Sequence, residues 1–580
     1  MIDYRKYESS IGLNWYEADP NLQQIAHRML EPADLDWCEP ELRRAGALVG
    51  SHIAARAEVT DKNPPQLVKY DRWGEPADEI VHHPGTLATK REAWVAGISG
   101  PRLRNEAARR GRRYPDLMTA ALNYLLSQAE TGMLCAVGMT TGVIALVRRY
   151  APAALREEML AHLTAEDFDD AWDGAMFMTE KTGGSDLATL TTVARQDGDR
   201  WILNGSKWFC SNVDAGVIVT LARPEGATDG LKGIALFLVP RRRADGRRNG
   251  IEIRRLKDKL GTRAVPTAEV DFVDAEAYLM AGENADAGAA RDGRGINRMM
   301  EMVDMSRQGV AVMGLGIMRR SFLESAIFAA HRTAFGNLLR DLPLMRETLV
   351  AMVVELEAAS ALVFASAADD SAISRLLVPL AKLRATRRGV ELASQAVEVH
   401  GGNGYIENWP VARQFRDAQC HTIWEGTENI ICLDVLRALR NEQVVKAAFG
   451  TLERRLAAAP PILDEAREPV ARALGEIRQA LEFLSRAERD LAQLRARTFA
   501  NYLADVAQAA LLFDEAAWEL EHRGSARKAV IANLFVRAHL TAPAARGLLS
   551  RDRAVLNLFE ELTGYGEIDP ARAQAALHIV

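Results

Sequence analysis

Residues 398–434 read EVHGGNGYIENWPVARQFRDAQCHTIWEGTENIICLD, and the order of features in this stretch decides the fold. A glycine-rich turn, Gly401-Gly402-Asn403-Gly404, precedes an isolated carboxylate, Glu425, flanked by Ile423, Trp424, Gly426 and Thr427. An amphipathic helix is expected to follow, with Ile430, Leu433, Leu436 and Leu439 on its apolar face. Bulky apolar neighbours beside a Gly-Thr helix start are the surroundings of a desolvated base. Burial disfavours the charged carboxylate and raises its pKa toward the range where proton abstraction works. A W-E-G tripeptide alone would read as a surface glutamate in a loop, so the rest of the chain has to carry the case.

The chain has 580 residues, room for several domains, with 48% hydrophobic and 26% charged residues. A net charge of −6 gives no global attraction to nucleic acid or to an acidic membrane. The five cysteines, Cys38, Cys135, Cys210, Cys420 and Cys432, are scattered and form no C-x-x-C pair, so no metal site and no disulfide framework is expected. The first ten residues, MIDYRKYESS, lack the apolar core of a signal peptide, and a cytoplasmic location is expected. Met133 to Val147, taken as the most apolar run, is too short to span a bilayer and reads as a core helix.

Four segments are expected. Residues 1–170 read as helical, with breaks at Asn63-Pro64-Pro65, His83-Pro84-Gly85 and Gly100-Pro101 and one long helix or a helix pair over 114–149. Residues 171–285 carry strand-like runs at 175–178, 191–195, 201–203, 217–222, 234–239 and 269–272, with Asp197-Gly198 as a hairpin turn. Helical periodicity returns over 286–440, and 441–580 continue as an Ala/Leu/Arg/Glu-rich helical extension. The fold class is mostly α with an inserted β-domain.

Three motifs in this order resemble the acyl-CoA dehydrogenase flavoprotein family. They are Met178-Thr179-Glu180-Lys181-Thr182-Gly183-Gly184-Ser185-Asp186, similar to its flavin-binding loop; Arg332-Thr333-Ala334-Phe335-Gly336, similar to its R-x-x-F-G dimer motif; and the stretch quoted above, with Arg416-Asp417-Ala418 and Ile423-Trp424-Glu425-Gly426-Thr427. Within the family the likeness is to the AidB-like alkylation-response subgroup, through Asn63–Leu67, Met178–Lys181 and Arg255–Gly261. The resemblance covers roughly residues 70–440. It implies an N-terminal helical domain, a central β-barrel-like domain and a C-terminal four-helix bundle, here with an additional helical domain.

The resemblance further implies FAD as cofactor and an acyl-CoA as substrate, oxidised to the trans-2-enoyl-CoA with Glu425 as base. No side chain accepts a hydride, so a flavin must do so. The residues carried over to the cofactor are Met178, Thr179, Gly184, Ser185, Phe209, Ser211, Arg332, Phe335, Glu398, Gly401, Gly402, Trp424, Thr427 and Asn429. Phe209 and Ser211 stand where relatives carry Trp and Thr, and Glu398 where many carry glutamine. Asp304, Arg307 and Gly426 are carried over to the substrate; the plain alternative for the first two is a helix-surface salt bridge. His421, in place of a tyrosine before the base, reads as a satisfied core histidine.

An electron-transfer flavoprotein is the implied electron acceptor, and a flavin site shared between chains implies a homo-oligomer, a dimer or a dimer of dimers. Two other readings are weighed. An oxidase of nitroalkane type would carry an aspartate at the base position, and Glu425 argues against it. A DNA-binding flavoprotein needs a concentrated positive face, whereas residues 441–580 hold 18 Lys and Arg against 19 Asp and Glu. Arg523, Arg527, Lys528, Arg537, Arg546, Arg551 and Arg553 cluster near the end, but the acidic residues over 560–569 dilute them. The basic run over 241–259 reads as a solvated loop. The extension is expected to cover apolar surface in an oligomer.

Overall fold

The computed structural model describes residues 1–283, 287–368, 372–548, 550–574 and 576–577. The expected boundary at 285/286 lies outside the described residues. The chain resolves into two compact units, Ile53–Tyr114 with Glu130–Gly309, and Met1–His52 with Pro115–Ala129 and Val310–Val580. The stretch read as one N-terminal helical segment therefore contributes to both.

In the first unit, after the helix Ala54–Thr60, comes a hairpin that the sequence did not reveal. β1 (Gln66–Tyr70) and β2 (Pro76–Val81) pair antiparallel. Their lysine, aspartate and glutamate hid the alternation expected of strands. β3 (Gly174–Phe177), β4 (Val193–Asp197), β5 (Arg200–Ser211), β6 (Val217–Pro224), β7 (Ala235–Pro240), β8 (Ile251–Leu256) and β9 (Thr267–Leu279) follow. β6 pairs with β4, β4 with β5, β5 with β9, β9 with β7, and β7 with β6 again. Five strands thus close on themselves, which removes the exposed edges of an open sheet. β3 is added on β6 and β8 on β9.

The strand β8 lies within the basic run read as a loop. Arg254 and Arg255 face outward while Ile251 and Ile253 are buried in the barrel core. The β4–β5 connection sits one residue later than expected: Asp197 pairs with Arg200, so Gly198 and Asp199 form the turn, and Gly198 takes φ 65°. Alternation on β6 explains its apolar run. Ile218 and Ala222 pack inside the barrel with Phe237 and Phe272. Val217, Val219 and Leu221 pack outside against Val143, Leu146 and Val147 of the Thr131–Tyr150 helix.

The helical unit contains Pro343–Ala368, Ser374–His400, Pro410–His421 and Glu428–Ala438, together with the C-terminal part of the 37-residue helix Gly295–His331. Gly314 and Gly389 let two of these helices meet closely, since a Cβ on Gly314 would stand 2.8 Å from the backbone of Ala385. Pro343–Ala368 is more apolar than the run singled out from sequence, with mean hydropathy 1.9 against 1.5 for Thr131–Tyr150; the apolar windows of both are mostly buried in the protein.

The extension adds Glu442–Ala457, Asp464–Arg486, Arg489–Arg523 and Arg527–His539. It is bolted to the bundle by buried charges. Lys528 Nζ lies 2.7 Å from Glu357 and 2.6 Å from Glu515, and it donates to Asn21 Oδ1 at 2.6 Å. Arg527 Nη1 donates to Glu357 at 3.1 Å.

Candidate active site

The catalytic candidate sits in the connection between Pro410–His421 and Glu428–Ala438. Ile423 and Trp424 turn back on Cys420, donating to its carbonyl at 3.0 and 3.1 Å. The chain then reverses through two left-handed residues, Glu425 at φ 57° and Gly426 at φ 112°. A glutamate at positive φ is uncommon and costs of order 1–3 kcal/mol, a strain that persists where the surroundings impose it. Glu425 is half-buried, as are Trp424 and Gly426, while Thr427 is exposed and caps the next helix without a side-chain bond.

Two carbonyls of this turn bond a lysine that the sequence reading passed over. Lys382, on Ser374–His400, is buried, and its ammonium donates to Gly426 O at 2.5 Å and Thr422 O at 3.3 Å. Lys382 stands between Leu380 and Leu383 on a helix that also carries Arg375, Arg384, Arg387 and Arg388, so nothing in the sequence sets it apart. His421 is fully buried, yet neither ring nitrogen finds a hydrogen-bond partner among the described residues. The expectation of a satisfied core histidine is corrected accordingly. Burial, with the Lys382 charge second, pushes its pKa down to about 3, so the ring is neutral.

The helix after the turn buries a different face from the one expected. Ile431, Cys432, Asp434, Val435 and Ala438 are buried, whereas Ile430, Leu433 and Leu436 are half-buried; of the expected face, Leu439 alone is buried. The face is rotated because buried Asp434 accepts two bonds from Arg375, at 2.8 and 2.9 Å. Asn429 accepts from Arg497 of the extension at 2.5 Å, and Glu428 binds Arg387 at 2.8 Å. Glu398, Gly401 and Gly402 are exposed, and Gly401 takes φ 60° at the helix end. Arg332 is exposed beside the hairpin of β10 (Thr333–Ala334) and β11 (Asn337–Leu338), whose turn residues Phe335 and Gly336 both have positive φ. Phe335 is 92% exposed.

In the β-unit, Met178 and Thr179 are half-buried, and Ser185 is exposed. Gly184 packs on Thr179, leaving 2.8 Å between a hypothetical Cβ and Thr179 Oγ1. The loop is anchored by Glu180, which is buried. Its carboxylate meets Lys207 Nζ at 2.8 Å and accepts from Thr191 N and Oγ1 and from Thr192 N and Oγ1 at 2.5–3.1 Å. Burial works to raise its pKa, but the Lys207 charge and these bonds outweigh it and hold the carboxyl at about 2.

Lys207 and Cys210 both face inward because the β5–β9 register slips between them, and this bulge leaves Phe209 exposed and Trp208 half-buried beside it. Lys257 Nζ stands 3.3 Å from the Trp208 ring centroid. Trp208 and Lys257 were not singled out from sequence; the adjacent aromatic pair at 208–209 was the available clue. Ser211 Oγ lies 3.0 Å from Thr267 Oγ1. Asp304 and Arg307 form an i,i+3 ion pair at 2.9 Å, with Arg307 buried.

Comparison with known proteins matches residues 7–170 to the adaptive response protein AidB N-terminal domain, 175–275 to the acyl-CoA dehydrogenase middle domain and 293–440 to the acyl-CoA dehydrogenase C-terminal domain. Acyl-CoA dehydrogenase family member 11 of Caenorhabditis elegans is 31% identical over 81% of this chain and 78% of its own length. Putative acyl-CoA dehydrogenase AidB of Escherichia coli strain K12 is 35% identical over 74% and 78%. The chain belongs to the acyl-CoA dehydrogenase family.

It is an AidB-like acyl-CoA dehydrogenase, and so an oxidoreductase of a flavoprotein family. Among solved structures, Caenorhabditis elegans ACDH-11 in complex with C11-CoA superimposes with TM-score 0.84 at 28% identity, covering 93% of each chain. The helix–barrel–helix order expected from sequence is that of this family fold. The extension's basic cluster does not form one exposed face: Arg527 and Lys528 are buried in the ion network with Glu357, and Arg537 pairs with Asp552 at 2.6 Å.

Proposed function

We propose that this AidB-like acyl-CoA dehydrogenase uses FAD to oxidise an acyl-CoA to the trans-2-enoyl-CoA, with Glu425 as the base. The observation that carries the reading is Glu425 itself, a half-buried carboxylate held at φ 57° in a turn clamped by a buried lysine. A general base must be fixed within hydrogen-bond reach of the proton it takes, and an unstrained surface loop would not fix it. Glu425 would remove the pro-R α-proton. Its backbone N–H would donate to the thioester carbonyl, where charge develops. Gly426, without a side chain, leaves room for the thioester.

The residues present fit FAD. Exposed Phe209 offers an apolar surface for a planar ring. Arg332 offers an exposed guanidinium for a pyrophosphate, and none of the described residues stands within 4 Å of where a Cβ on Gly401 or Gly402 would project, so a phosphate can approach the backbone there. Met178, Thr179, Gly184, Ser185, Ser211, Phe335, Glu398, Trp424, Thr427 and Asn429 complete the proposed set. Bound FAD would accept the β-hydride.

An acyl-CoA substrate is supported by the likeness, along nearly the whole chain, to ACDH-11 in its C11-CoA complex. Asp304 and Arg307 are proposed to meet the CoA. An electron-transfer flavoprotein would then take the electrons. Exposed Phe335 and Tyr405 support assembly into a homo-oligomer. The burial of Arg527 and Lys528 weighs against the DNA-binding reading. The test is anaerobic bleaching of the bound flavin by a panel of acyl-CoA thioesters. Glu425→Gln is expected to keep its yellow colour and lose reduction; reduction at the wild-type rate would remove Glu425 from the mechanism.

A further inference from the structure

We infer that Lys382 is the positioning residue of the catalytic turn: its buried ammonium ties the two carbonyls that bracket Glu425, those of Thr422 and Gly426, to the Ser374–His400 helix. The inference rests on the proposed role of Glu425 as base.

Three features carry it. The first is geometry. Thr422 lies three residues before Glu425 and Gly426 one after, so a single Nζ donating at 3.3 and 2.5 Å closes the turn as a staple across its mouth. The second is where the staple is rooted. Lys382 is 1% exposed, on a helix whose neighbours Leu380, Ala381, Leu383 and Ala385 are all buried, so the ammonium cannot swing away without leaving a cavity. A site built on a packed helix holds a group more tightly than one built on a loop.

The third is the need for such a device. Glu425 and Gly426 both occupy left-handed backbone conformations, and Thr427 starts the next helix without a capping side-chain bond. Left to itself, a glutamate at φ 57° relaxes, and the strain has to be balanced by something that over-determines the turn. An ammonium bonded to carbonyls supplies this with charge-assisted bonds, roughly twice as strong as neutral ones. It also sits at the C-terminal end of Pro410–His421, where the helix dipole favours a cation. The neutral, unpartnered ring of His421 adds no competing charge to the staple.

Lys382 does not touch the substrate in this account. It acts through the backbone, so its loss should misplace the base without removing it. A displacement of about 1 Å in a reacting group costs on the order of 100-fold in rate.

The test compares Lys382→Met with wild-type holoprotein by two readouts. Amide hydrogen exchange over the peptide spanning 421–430 is expected to speed up at least about tenfold, with a control peptide within Pro343–Ala368 unchanged. In acyl-CoA-driven flavin reduction, kcat is expected to fall about 10- to 100-fold with KM within about twofold. Wild-type exchange in the turn overturns the inference whatever the catalytic result. Faster exchange with unchanged kcat overturns the link from turn to catalysis. Should wild-type protein itself resist reduction by every acyl-CoA, the proposed activity fails, while the exchange arm still decides whether Lys382 holds the turn. If Lys382→Met yields no folded holoprotein, Lys382→Gln, which keeps one donor, is expected to give intermediate exchange and kcat; wild-type values for both overturn the inference.

Discussion

Glu357 and Glu425 belong to the same compact unit and could hardly be kept more differently. Glu357 lies mid-helix in Pro343–Ala368, fully buried, its oxygens engaged by Arg527 and Lys528. Burial alone would raise its pKa, but the two cations outweigh that and hold it at about 2. Glu425 is half-buried, on a strained turn, and the nearby cation Lys382 grips the backbone around it. A carboxylate pinned by two cations at its own oxygens is locked into its charged form and serves cohesion. One whose backbone is pinned keeps its carboxyl where a base is proposed to act.

The contrast breaks most sharply at Glu425. Replacing it with glutamine is expected to slow flavin reduction by about 10²- to 10⁴-fold, the usual share of a general base. The urea midpoint should fall less than in Glu357→Gln, because Glu425 is half-buried where Glu357 is fully buried. Glu357→Gln should do the reverse. It leaves Arg527 and Lys528 buried with half their compensation, at a cost of about 3–5 kcal/mol, and the urea midpoint should drop while kcat per folded molecule holds. A Glu357→Gln protein of wild-type stability but low kcat would mean that the two carboxylates are not separable in this way.

This division also marks what could be read in the sequence. The Gly-Gly-x-Gly turn was legible because a tight helix end favours glycine, whereas R-x-x-F-G was read as a family motif and not as a hairpin, and Glu425 was singled out by the resemblance of its motif rather than by its backbone. The barrel was expected from the resemblance, with the strand-like runs and the turn before β5 in support. β1, β2 and β8 were not, because charged residues on their outer faces look like loops until the partner strands are placed. The burial of Lys382, Lys207 and Lys528 was missed for a related reason. A buried lysine is recognisable only by the partner it finds, and those partners lie 27 residues away for Glu180–Lys207 and 170 or so for Lys528–Glu357. The helix over 428–438 was rotated from its expected face by one such pairing, Arg375 with Asp434.

Acid should sharpen the comparison further. Glu180 and Glu357 both titrate at about 2 when folded, against an ordinary value of 4.5. Lowered folded values mean that the stabilisation is complete above the ordinary range and is lost as pH falls from there toward 2. Each carboxyl is expected to forfeit about 2 kcal/mol between about pH 6 and about pH 3. Urea midpoints across that range should decline in wild type and decline less in Glu357→Gln, which has already lost one of the two titrating groups. Equal slopes would remove Glu357 from the acid response.

The smallest effect is expected at Phe335, a non-glycine signature residue at positive φ outside the catalytic turn. Its φ of 54° and Gly336's 77° let a two-residue turn join β10 to β11. Nothing about a hairpin of this kind calls for phenylalanine; asparagine suits the left-handed position better, and Phe335→Asn should stabilise the isolated fold by about 0.5–1 kcal/mol. That an apolar ring stands there instead, 92% exposed at the tip, points to a use beyond folding, as strain does at Glu425. Sedimentation should therefore show Phe335→Asn shifted toward smaller species even as its thermal midpoint rises. A rise in midpoint with assembly intact would show that the ring does not serve association, and the strain at this second turn would then differ in kind from that beneath the base.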